Sequence, residues 1–142
     1  MPKRIWVNGA ATVIEDYAHH PTELRESIRS LRELYPGRRL VVIFQPHRYA
    51  RLERYFDEFA VELKKADRVF VTPVFAAWTG GGKYSSEDLA AKVGGVALAG
   101  SWDEMGTLVG SEFRTGDVAA IIGAGDLPKI LPSLIAAAKT VG

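Results

Sequence analysis

Leu40-Val41-Val42-Ile43-Phe44 is an unbroken apolar run, set between Arg38-Arg39 and Gln45-Pro46. A strand with one wet face would alternate apolar and polar residues, whereas a short continuous run suits a strand buried on both faces. Burying both faces of a sheet requires helices on each side, so this run confines the chain to a layered α/β architecture.

The flanking sequence supplies the helices. Pro21 suits a first helical position, Glu23 follows in the first turn, and Leu24, Ile28, Leu31 and Leu34 mark one face until Pro36-Gly37 stops the helix. Leu52, Phe56, Phe59 and Leu63 predict a second helix, continuous from about residue 49 to 65. Beyond it, patterning predicts strands at 68–71, 96–99 and 118–122 and helices at 86–93, 102–109 and 127–139, with Pro132 kinking or delaying the last. At the other end, residues 4–7 and 10–15 read as two strands joined by a tight Asn8-Gly9 turn, both turn residues at positive φ. Together these predict one domain over 1–142. It is a three-layer Rossmann-like α/β fold with a mostly parallel sheet of about six strands and an antiparallel N-terminal edge strand.

Composition narrows the function. The 142 residues, 47% of them hydrophobic and 25% charged, suit one globular core. A net charge of +1 gives no global field to draw nucleic acid or an anionic membrane, so neither is expected as a partner. The absence of cysteine excludes disulfides and thiolate metal sites. With no apolar leader after Met1 and no stretch of membrane-spanning length, the expected location is cytoplasmic.

In parallel sheets ligands gather at the carboxyl ends of the strands, which directs attention to residues 15–21, 45–51, 72–84 and 123–126. The first holds Glu15, Asp16, Tyr17, His19 and His20 within seven residues ending at Pro21. They form a candidate site, or else Asp16 caps a turn and the histidines are solvated loop residues. The second carries Arg48 and Arg51, three apart, which would share a helical face once the helix has begun and could converge on one anion. Guanidinium forks match carboxylate and phosphate oxygens, at about 1.5–3 kcal/mol per charge-assisted bond. The alternative is a surface ion pair with Glu53 or Glu58.

Several motifs fail. Gly123-Ala124-Gly125-Asp126 lets a ligand approach the backbone, but Pro128 breaks the dinucleotide fingerprint. Gly80-Gly81-Gly82-Lys83-Tyr84 lacks the first glycine and the hydroxyl residue of a phosphate loop. His19, His20 and His47 lack zinc-ligand spacing, so no metal is assigned. Phe56 and Phe59 read as core, while Trp78 lies in the long loop 72–85, which reads as mobile. A hydrolase using His19 or His47 as base lacks a neighbouring Ser or Cys nucleophile.

The segments Val13-Ile14-Glu15-Asp16-Tyr17-Ala18-His19-His20-Pro21-Thr22-Glu23, Val42-Ile43-Phe44-Gln45-Pro46-His47-Arg48-Tyr49-Ala50-Arg51 and Gly123-Ala124-Gly125-Asp126 resemble, in order and spacing, the C-terminal domain of the Mur ligases. Phe44-Gln45-Pro46-His47-Arg48-Tyr49 is similar to the alanine-adding members, the UDP-N-acetylmuramate:L-alanine ligases, and the likeness covers nearly the whole chain. It implies part of an ATP-dependent amide-forming ligase of peptidoglycan precursor synthesis, inactive alone. In these enzymes ATP phosphorylates the lactyl carboxylate of UDP-N-acetylmuramate, and the amine of L-alanine attacks the acyl phosphate.

The resemblance further implies that a central domain, absent here with the UDP-binding N-terminal domain, holds ATP and Mg2+, with no cofactor expected on this chain alone. The C-terminal domain closes over the nucleotide and presents the amino acid, contacting the other two domains. By resemblance Asp16 faces the nucleotide, and Tyr17, His19, His47, Arg48 and Arg51 surround the alanine carboxylate. Ala124, Gly125 and Asp126 are candidate site-lining residues. Two departures stand out: Glu15 replaces a common second aspartate, and Ala76-Ala77-Trp78-Thr79-Gly80 lacks the usual Gly-Glu. The alternative function is a free-standing Mur-ligase-like module that binds a nucleotide or cell-wall precursor without catalysis.

Overall fold

The computed structural model describes residues 4–76 and 81–141. Its strands are β1 (Arg4–Asn8), β2 (Thr12–Asp16), β3 (Leu40–Phe44), β4 (Arg68–Val71), β5 (Val96–Ala97) and β6 (Val118–Ile122). Its helices are α1 (Pro21–Leu34), α2 (Tyr49–Arg54), α3 (Phe56–Leu63), α4 (Ser86–Val93), α5 (Trp102–Gly110) and α6 (Leu131–Thr140), with a 3-10 turn at Leu127–Ile130. The strands form one six-stranded sheet in the order β1-β2-β6-β3-β4-β5. β1 runs antiparallel to β2, and every other pairing is parallel.

Period-two alternation within the buried strands divides the core. Leu40, Val42 and Phe44 pack with Leu24, Ile28, Leu52, Phe59 and Leu63 of α1, α2 and α3. Val41 and Ile43 face the opposite way, toward Met105, Val109, Leu131 and Leu134 of α5 and α6. The predicted three-layer α/β fold with its antiparallel N-terminal edge is therefore the observed one.

Three helices begin with reciprocal capping boxes: His20 with Glu23, Ser85 with Asp88, and Ser101 with Glu104. In each, two amide groups that a helix start leaves without partners are satisfied by side chains. The N-terminal ends of the strands are tied by Arg39, whose Nε and Nη2 donate to Asp117 Oδ1 and Oδ2 at 2.9 and 2.8 Å. Arg38 donates to the Gly116 carbonyl at 2.6 Å and Thr12 Oγ1 at 3.0 Å.

Three sequence expectations are corrected. The β1–β2 link is not a two-residue turn: Asn8 pairs with Thr12, which leaves residues 9–11 as the connection. Neither Asn8 nor Gly9 has positive φ. The longer loop is held from outside, because Gly116 N–H donates to the Ala10 carbonyl at 2.7 Å. The helix expected over 49–65 is broken at Tyr55 (φ −115°, ψ 23°) and ends at Leu63. Leu52, Phe56, Phe59 and Leu63 keep helical spacing across the break, so the pattern does not reveal it. β5 is confined to Val96–Ala97, and Leu98 N–H completes its pairing with β4 by donating to the Val71 carbonyl at 2.8 Å. The last α-helix starts at Leu131, with the 3-10 turn before it, in keeping with the delay expected from Pro132.

Candidate functional site

β2 and β3 flank β6, so the loops that leave Asp16 and Phe44 emerge from one edge of the sheet. Asp16 is 1% exposed. Its Oδ1 accepts from Ala18 N–H at 3.0 Å, which shapes the loop as an Asx turn, and its Oδ2 accepts from Ser27 Oγ at 2.5 Å. Asp16 therefore does cap a turn, but it also lines a cavity of about 400 Å³ with Ala18, Glu23, Glu26, Ser27 and Arg29. Arg29 is engaged by Glu26 and Glu33, at 2.5 and 2.9 Å.

Tyr17 is 44% exposed. Beside it, His19 Nδ1 lies 3.2 Å from the Tyr17 carbonyl oxygen and 3.5 Å from Glu23 Oε1. That carboxylate accepts from the amides of both His19 and His20 at 3.1 Å. Burial pushes the Glu23 carboxyl up, but the two amide hydrogen bonds and the neighbouring imidazoles outweigh it and leave the group below its ordinary value. His20 is a structural cap: its Nδ1 accepts from Thr22 N–H at 3.2 Å and its ring meets Tyr55 edge-on at 4.8 Å.

From the β3 side, His47 comes within 6.1 Å of His19, ring centre to ring centre. It stacks on Phe75 at 5.2 Å, with the planes 22° apart. The backbones are joined as well: Phe75 N–H donates to the Pro46 carbonyl and Arg48 N–H to the Phe75 carbonyl, both at 2.8 Å. Arg51 Nη1 lies 3.1 Å from His47 Nδ1. Burial lowers the His47 proton affinity first, and the charges of Arg51, Arg48 and His19 lower it further.

Arg48 precedes α2 as its N-cap, with φ 70° and ψ 137°, so helical spacing does not set its direction relative to Arg51. A non-glycine residue in such a conformation costs about 1–3 kcal/mol and persists where surroundings over-determine it. Here the bridge to Phe75 holds one side, and Leu52 N–H, donating to the Arg48 carbonyl at 3.2 Å, holds the other.

Gln45 ties the third loop in. It is 2% exposed, its Nε2 donates to Asp126 Oδ1 at 2.8 Å, and its Oε1 accepts from Leu127 N–H at 3.2 Å. Gly125 is small for a protein neighbour: an added Cβ would come within 2.5 Å of Phe75 Cγ and 2.7 Å of Gln45 Oε1. The space beside Gly125 is thus filled by Phe75 and Gln45. Ala124 is half-buried, and Asp126 lines a second cavity, about 490 Å³, with Gln45, Phe75 and Trp102.

The start of the long loop is anchored by the Phe75 bridge, and Ser86 Oγ donates to the Thr72 carbonyl at 2.6 Å. The expectation placed on Trp78 and Gly80 falls outside the described residues. Among the described residues, no three His, Asp or Glu side chains are grouped so as to hold a metal ion. No helix among them is long and apolar enough to cross a membrane.

Patterning passed over Ser27, Gln45 and Phe75. Ser27 had a legible signal, a hydroxyl between Leu24 and Ile28 on the apolar stripe of α1. Phe75 had none, because its contacts are with loops distant in sequence.

A mostly parallel sheet between helical layers, with imidazoles, arginines and a buried aspartate at its strand ends, defines a layered α/β domain. The chain matches the family described as Mur ligase, glutamate ligase domain, over residues 3–125, and it belongs to that family. It is 41% identical over 122 residues to a UDP-N-acetylmuramate--L-alanine ligase of Lactobacillus delbrueckii subsp. bulgaricus. That match covers 85% of this chain and 27% of the relative, so the chain spans about a quarter of the relative's length. Two examples can be given from the solved structures that share the fold. They are a murein peptide ligase from Psychrobacter arcticus (TM-score 0.71, 19% identity, covering 94% of this chain and 28% of that one) and a UDP-N-acetylmuramate-alanine ligase from Thermotoga maritima (TM-score 0.65, 24% identity, 95% and 27%).

Proposed function

We propose that this chain is the C-terminal, amino-acid-presenting domain of a cytoplasmic ATP-dependent ligase that joins L-alanine to UDP-N-acetylmuramate. The observation that carries this reading is the meeting of His19 with His47 and Arg51, from two strand ends, next to a strained Arg48. A small zwitterion needs cationic and hydrogen-bonding groups of this kind, held without freedom to reorganise. Tyr17, His19, His47, Arg48 and Arg51 form the alanine-facing wall in this reading, with Ala124, Gly125 and Asp126 behind it.

The cavity at Asp16 suits the sugar of a nucleotide better than its phosphates. Asp16, Glu23 and Glu26 are acceptors that would repel phosphate, whereas ribose hydroxyls can donate to them. ATP with Mg2+, held mainly by a central domain, would supply the phosphoryl group that activates the lactyl carboxylate. This chain contributes by orienting the amine and by closing over the activated acyl group, which limits its loss to water.

The test is reconstitution. Mixed with separately expressed N-terminal and central domains of an alanine ligase, the chain should give alanine-dependent phosphate release that vanishes with Arg48→Ala. No release from folded components would sink the ligase reading and favour a free-standing binding module.

A further inference from the structure

The hydrogen bonds of His19 and His47 fix which ring nitrogen carries the proton. A guanidinium can only donate, so Arg51 Nη1 at 3.1 Å requires a lone pair on His47 Nδ1. When that ring is neutral, its proton is on Nε2. A carbonyl can only accept, so His19 Nδ1, 3.2 Å from the Tyr17 oxygen, carries the proton, and Glu23 Oε1 at 3.5 Å favours the same state. His19 therefore keeps its lone pair on Nε2.

We propose that Arg51 is a positioning residue that acts through His47, locking it in the tautomer opposite to that of His19, so that the two rings offer a ligand one Nε2–H donor and one Nε2 acceptor. Phe75 supports the lock by stacking on the His47 ring and bridging its backbone. The groups facing His47 are Arg48 and Arg51 from its own loop and helix, His19 from the loop after β2, and the uncharged Phe75 from the loop after β4.

Protonation of His47 would place a new Nδ1–H against a guanidinium. Resting on the amino-acid reading above, the pair matches a zwitterion: His47 Nε2–H donates to the carboxylate and His19 Nε2 accepts from the ammonium. An ammonium has no lone pair, so one N–H proton must leave before attack, and His19 Nε2 takes it. The freed pair forms the C–N bond as the acyl C–O bond breaks, and the nitrogen's surplus proton leaves with the phosphate.

The test is long-range 1H–15N correlation NMR of the 142-residue chain at about pH 8.5, above the ordinary imidazole pKa of ~6.5. His19→Gln and His47→Gln assign the signals by their loss. The expected result is Nδ1–H for His19 and Nε2–H for His47. Arg51→Lys should retain the His47 tautomer and Arg51→Leu should shift it toward Nδ1–H. Matching tautomers in the wild type, or a His47 signal indifferent to Arg51→Leu, overturns the inference. Reconstitution failing while the tautomers are opposite would sink the ligase reading alone.

Discussion

At the scale of single residues, Asp16 and Arg48 show two ways a site is held before any ligand arrives. Asp16 is buried yet satisfied, and Ser27 is the partner that its burial requires. Ser27→Ala leaves a carboxylate oxygen without that donor, and the expected cost is about 1–3 kcal/mol in urea denaturation. An unchanged midpoint would mean that water replaces the hydroxyl. Arg48 holds a strained backbone, and strain can be separated from side-chain chemistry by comparing two truncations. Both Arg48→Gly and Arg48→Ala delete the guanidinium, but only glycine adopts φ 70° freely. The glycine variant should be the more stable by about 1 kcal/mol, and neither should support phosphate release on reconstitution. Equal stability would show that the conformation is not strained.

At the scale of elements, the candidate site depends on the loops after β3, β4 and β6 fitting one another. Gly125 lets the Phe75 ring reach Gln45 and His47. Gly125→Ala should push the Phe75 loop outward at a cost of about 1–3 kcal/mol from overpacking. It should also weaken the His47 stack, visible as a change in the His47 ring signals. If stability and signals both stay put, the loop gives way without consequence and the three-loop argument falls. The break at Tyr55 belongs to the same scale: it separates α2, carrying Arg51, from α3, packed into the core, while Tyr55 meets His20 at the start of α1.

At the scale of the whole molecule, the ionisable groups predict an acid-labile fold. The folded pKa of His47 is depressed from the ordinary 6.5, so the unfolded chain takes up its proton first. The stability it contributes is present above about pH 6.5 and lost as pH falls toward the folded value. Glu23, Asp67 and Glu112 are also depressed, and their contribution is lost in a second, more acidic window, below their ordinary values of 4.5, 3.8 and 4.5. Urea midpoints should therefore fall in two stages on acidification, and His47→Gln should flatten the first. A wild-type profile level from pH 8 to pH 5 would contradict this.

Local order was legible in the sequence wherever it followed from side-chain periodicity. The run Leu40–Phe44, the stripe of α1 and the strand–helix alternation determined the layered fold, because burial depends on which residues repeat on a face. The loops bearing Asp16, His19, His47 and Arg48 were legible too, since strand ends are where a parallel sheet exposes chemistry. Only the tertiary structure decided that His19 meets His47, that Arg51 turns to an imidazole, that Gly125 admits Phe75 and that the helix after Arg48 breaks at Tyr55. Those choices depend on contacts between segments far apart in the chain, whose energies no local pattern encodes.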